Sequence, residues 1–221
     1  SPAAGSTTYE GSLGFYGENG KFINRGLIDT KGVLAHSVVV KNTGMTFNHE
    51  GTVKLDSPNT AKGNIAVYSD GNATVNFYNN SNVFVGANSS LVYANNQANA
   101  LLDADLTIDK GDANASTIAL LATNKSSVTV DTGKTLTTNT QVALAAVNGT
   151  TTAGSGSTAE NKGTIVSNRT NNGIGIYAKE AGSKASNDGT ITTMGKEAAG
   201  MYGEDITTFE NKATCVFVVN V

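Results

Sequence analysis

The chain has 221 residues with a formal net charge of −3, and 38% of them are hydrophobic, 6% aromatic and none tryptophan. Only Arg25 and Arg169 carry a guanidinium, so the basic stripe of a nucleic-acid binder is absent. A single cysteine, Cys215, excludes an intramolecular disulfide framework and a thiolate metal cage, and no apolar run approaches the length of a membrane helix.

Residues 1–12 open on Ser1-Pro2-Ala3-Ala4-Gly5 without a charged segment followed by an apolar one, and are read as an N-terminal cap or a remnant ahead of the first repeat. The first repeat holds Gly14-Phe15-Tyr16, then Phe22 and Asn24-Arg25-Gly26-Leu27-Ile28. The second holds His36 and Asn48-His49-Glu50-Gly51-Thr52-Val53, which looks one residue longer. Ile65-Ala66-Val67-Tyr68 follows with Phe77 and Asn79, then Leu91-Val92-Tyr93 and an acidic stretch with Asp103, Asp105, Asp109 and Asp112. Ile118-Ala119-Leu120-Leu121 and Val142-Ala143-Leu144-Ala145 continue the short apolar strands, and a polar Thr/Gly/Ser segment over 150–158 reads as a loop insertion. The pattern is sharpest near the end. Asn161-Lys162-Gly163-Thr164-Ile165 returns as Asn187-Asp188-Gly189-Thr190-Ile191, and Ile174-Gly175-Ile176-Tyr177 as Ala199-Gly200-Met201-Tyr202. Asn211-Lys212-Ala213-Thr214-Cys215 is a degraded copy, and residues 215–221 form an atypical C-terminal strand.

Tyr68 and Tyr93 lie 25 residues apart, as do Tyr177 and Tyr202. A fixed period of this size marks stacked repeats that bury an apolar face only against their neighbours. Each unit holds three short strands with no helical stripe between them, which predicts an all-β parallel β-helix. We expect one domain over 1–221, right-handed, with about eight coils of roughly 25 residues.

Residues two apart share a strand face. With Phe22, Phe77, Ala159, Ala185 and Phe209 inward, the asparagines two places later turn inward at a corner. The expected corner set is Asn24, Asn48, Asn79, Asn161, Asn187 and Asn211, stacked as an amide ladder. Alternation also turns Ile176 and Met201 inward and sends Tyr68, Tyr93, Tyr177 and Tyr202 outward as an exposed aromatic row. Such a row binds glycans or proteins, or merely stiffens the stack.

Chemistry has thinner support. Asp103 and Asp105 are expected to share a strand face, as a carboxylate pair or a cation site, or to be a plain strand and turn. His36 and His49 are far from them in sequence. No catalytic residue, metal site or cofactor is assigned.

The combination of Asn-x-Gly-Thr-Ile, Gly-Ile-Tyr-Ala and a small Ala181-Gly182-Ser183 corner resembles the passengers of bacterial type V autotransporters, most of all the large fusobacterial surface adhesins. The resemblance is clearest over 160–214. It implies a β-helical passenger segment exported through an outer-membrane barrel to the surface of a Gram-negative cell. It further implies attachment or co-aggregation with a host-cell or bacterial surface protein or glycan, without nucleic acid and without membrane insertion by this segment. It carries over no binding residue. Two other readings stay open: a polysaccharide-active β-helix enzyme working through Asp103 and Asp105, and an inert stalk for a binding region elsewhere.

Overall fold

The computed structural model describes residues 13–32, 35–56, 64–78, 82–85, 89–108, 117–147, 156–205 and 208–218. The chain is a parallel β-solenoid. One side is an eight-stranded sheet from Leu13–Gly17 through Val142–Val147 and Ile174–Lys179 to Ala199–Glu204. A second eight-stranded sheet runs from Lys21–Asn24 through Thr158–Asn161 and Lys184–Asn187 to Thr208–Asn211. The third side is split, with three strands from Leu27–Lys31 to Asn82–Val85 and five from Leu106–Ile108 to Cys215–Val218. The split makes the tube uneven along this side.

The core follows from strand alternation. On the first sheet, Val38, Val67, Val92, Leu120, Leu144 and Ile176 form one inward column, completed by Phe15 and Met201 against the core. On the third side Val53, Leu136, Ile165 and Ile191 are fully buried. Each such aliphatic side chain contributes on the order of 2 kcal/mol on burial, and repetition makes the sum large.

The chain leaves the first sheet through a left-handed residue stacked from coil to coil. Asn42, Gly71, Asn96, Asn124, Glu180 and Asp205 all have positive φ there, between 51° and 73°. Asparagine and glycine tolerate this conformation at the least cost, which accounts for part of the asparagine content.

The second sheet corrects the expected corner register. Asn24 pairs with His49, not Asn48, and the same column continues through Phe77, Leu102, Val130, Asn161, Asn187 and Asn211. Asn48 stands one place earlier, beside Ile23, and accepts a hydrogen bond from Asn76 at 3.0 Å. Phe77 therefore occupies the asparagine's own place, and Val75 takes the place of Phe22. The reason is spacing: one residue separates His49 from Gly51, as one separates Asn24 from Gly26. Asn79 lies outside the described residues, as do 1–12, Asp109, Asp112 and most of the 150–158 loop. The last strand, Cys215–Val218, joins the third side with Cys215 opposite Ile191.

Candidate functional site

The outward column of the first sheet reads Tyr16, Val39, Tyr68, Tyr93, Leu121, Ala145, Tyr177 and Tyr202 in register. The four expected tyrosines thus share one column, but as two pairs. The rings of Tyr68 and Tyr93 meet edge to face at 5.4 Å, and those of Tyr177 and Tyr202 stack at 6.0 Å with 10° between their planes. Between the pairs, Leu121 and Ala145 leave the face low. Ring contacts of this kind hold aromatic side chains in place at small entropic expense.

A second outward column tethers the hydroxyls. Asn95 donates to the Tyr68 hydroxyl at 3.3 Å and to Asp70 at 3.1 Å, and Thr123 donates to the Tyr93 hydroxyl at 3.4 Å. Tyr177 is hydrogen-bonded to Glu204, which also forms an ion pair with Lys179 at 3.3 Å. Partial burial, then the negative charge of Glu204 and that hydrogen bond, hold the Tyr177 phenol above its ordinary pKa, against the opposing pull of Lys179. The carboxylate in turn raises the Lys179 ammonium.

Beside the Tyr177–Tyr202 pair the sheet forms a depression of about 380 Å³. Ile118, Val142 and Ile174, opposite one another on three successive strands, make its floor. Tyr177, Tyr202 and Glu204 bound one side, and Thr117 and Gln141 the other. These floor residues were not legible from alternation. Strict period two would put Ile118 on the same face as Leu120, yet Leu120 is buried in the core while Ile118 lines the outer depression. Pairing passes from Ile118↔Val142 directly to Leu120↔Leu144, so the backbone makes a step at Ala119 and Ala143. The only sequence signal is an aliphatic residue three places before the tyrosine position, at Ile65, Ile118, Val142 and Ile174.

No protein-family model, no curated protein and no solved structure matches the chain.

The remaining sequence candidates sit elsewhere. Asp103 ends the strand Asn99–Asp103, and Asp105 lies in the corner before Leu106–Ile108, so they do not share a strand face. Asp103 pairs with Lys134 at 3.2 Å, and Asp105 accepts the Thr135 amide at 2.8 Å. Both carboxylates tie their own coil to the next. His36 lies on the outer face with its ring edge-on to Tyr68, 6.2 Å away. His49 is fully buried between Phe47 and Phe77, and its Nδ1 lies 3.2 Å from the Asn24 amide nitrogen.

At the corner, Asn161 donates to Asn187 at 2.8 Å and Asn187 to Asn211 at 2.8 Å. The amide ladder thus spans the last three coils, while Phe77, Leu102 and Val130 fill the same column with apolar side chains further up.

Proposed function

We propose that this chain is a non-enzymatic adhesive segment, holding the tyrosine face of its first sheet out to a surface protein or glycan. The observation that carries this reading is the outward column itself. Two tyrosine pairs, with hydroxyls tethered to Asn95, Thr123 and Glu204, stand in one column of a continuous eight-stranded sheet, and the Tyr177–Tyr202 pair borders an apolar depression. Preformed aromatic surfaces bind well because little side-chain freedom remains to be lost. The stacked coils supply stiffness, since each strand is paired to its neighbours along the rod.

The resemblance of the repeat to autotransporter passengers supports the location: outside the cell, at the surface of a Gram-negative bacterium, delivered through an outer-membrane barrel. The engagement of Asp103 by Lys134 and of Asp105 by the Thr135 amide favours a structural role for that pair over catalysis.

The test is direct binding. The purified chain, fluorescently labelled, is expected to bind host epithelial cells or partner bacteria saturably, with competition by unlabelled chain. A folded chain inert toward both overturns the adhesive reading in favour of a stalk.

A further inference from the structure

We infer that His49 is an acid-sensitive latch: as a neutral imidazole it fastens the second coil to the first, and on protonation it frees the first coil. The inference is independent of what the tyrosine face binds.

His49 ends the strand Thr46–His49 and takes the corner place that Asn187 and Asn211 take in the last coils. Its partner Asn24 is held in one orientation. The Asn24 side-chain oxygen accepts the Gly26 amide at 3.1 Å. That leaves the side-chain nitrogen facing Nδ1 of His49 at 3.2 Å and the Thr52 carbonyl at 3.4 Å. Asn161 makes the same arrangement with Gly163 and Thr190, with the Asn187 oxygen where Nδ1 stands. A donor on one side calls for a lone pair on the other, so Nδ1 accepts and the ring proton sits on Nε2.

Protonation puts an N–H at Nδ1, where it meets the Asn24 amide donor. Turning that amide over gives up the Gly26 contact that shapes the corner of the first coil. The charge is also badly placed. His49 is fully buried, with its ring 5.7 Å from that of Phe47 and 5.6 Å from that of Phe77. The attraction of a cation to these rings is smaller than the hydration it loses. On the two strands paired with Thr46–His49, Lys21 and Tyr78 alternate to the outer face with Thr46 and Asn48. Past the corner, Asp29 and Lys54 are exposed, and Arg25 pairs with Glu50 at 2.9 Å. These charges lie toward solvent and do not accompany the imidazole into the core.

The folded corner therefore disfavours a proton that the unfolded chain accepts freely. The stability His49 lends is fully present above the ordinary imidazole value of about 6.5 and is lost as pH falls below it. Contacts between coils are local, so the release is confined to the coils that touch His49. In this corner column the other described members are asparagine, phenylalanine, leucine and valine, none of which responds to acid.

Hydrogen exchange of the whole chain, read by mass spectrometry and corrected for intrinsic rates, tests this. Protection over residues 21–31 is expected to fall roughly tenfold to twentyfold between about pH 7 and pH 5, while residues 184–194 stay unchanged. His49→Asn, which supplies the amide used in the last coils, is expected to abolish the response. His36→Asn, on the outer face, is expected to keep it. Equal protection of 21–31 at both pH values in the wild type overturns the latch, as does a response that persists in a folded His49→Asn. Proton NMR of the wild type gives a second reading that needs no variant, since the chain has two histidines. The His36 ring is expected to titrate normally, and the His49 ring to stay unprotonated until the first coil opens. A His49 ring that takes up its proton with 21–31 still protected overturns the inference.

Discussion

Asn161 donates its side-chain amide to Asn187 at 2.8 Å, across 26 residues of sequence and between two successive coils. Both side chains are fully buried. Asn161 also accepts the Gly163 amide at 3.2 Å and donates to the Thr190 carbonyl at 3.1 Å. One side chain thus turns its own corner and fastens the next coil. Buried amides are stabilising only while all their partners are present.

Asn161→Ala and Asn187→Ala are each expected to destabilise the protein by about 2 kcal/mol, because each leaves a buried amide group without its partner. The double variant is expected to lose roughly 1 kcal/mol less than the sum, since the second change removes a group already orphaned. Urea unfolding followed by circular dichroism measures this. Strict additivity would show that the ladder has no energetic coupling.

The glycine after each corner asparagine has a different and local cause. A methyl group added at Gly189 would run into the carbonyl of Gly163 in the coil before it, whereas one at Gly26 would meet only the Asn24 side-chain oxygen at 4.0 Å. Gly189→Ala is therefore expected to cost about 3 kcal/mol or more, and Gly26→Ala less than about 1 kcal/mol. Thermal unfolding of the two variants tests the contrast. Equal losses would contradict the close approach of the backbones.

Alkaline titration tests the geometry around Tyr177. Its raised pKa comes first from burial and then from Glu204. The folded state therefore holds this proton more tightly than the unfolded chain. The associated stability is fully present below the unfolded value near 10 and is lost as pH rises through the folded pKa. Phenolate absorbance should show Tyr177 ionising late. Glu204→Gln should bring its titration down toward the ordinary value while leaving the contribution of burial. No change in Glu204→Gln would mean that the carboxylate does not face the phenol.

Much of this was legible in the sequence, and the failures have definite causes. The period and the inward aliphatic columns follow directly from recurrence and alternation, as with Ile176 and Tyr177. The register error at Asn48 came from following residue identity; the constant distance to the glycine marks His49 instead. The corner column is hard to read elsewhere because it accepts an amide or an apolar side chain equally, as Val130 beside Asn161 shows. The depression was hidden for a different reason. Its floor depends on the step in the strands at Ala119 and Ala143, which breaks the period of two that makes strands readable.

The central claim is that the tyrosine face is the adhesive surface, and binding to intact cells by face-specific variants tests it most directly. Labelled wild-type chain is compared with Tyr177→Ser/Tyr202→Ser, and with Lys162→Ser/Lys212→Ser at the asparagine corner, just after the strands Thr158–Asn161 and Thr208–Asn211. All three should share the same circular dichroism spectrum. The account predicts roughly tenfold or greater loss of cell binding for the tyrosine variant, as for aromatic anchors at other interfaces, and none for the lysine variant. Undiminished binding by the tyrosine variant would contradict it.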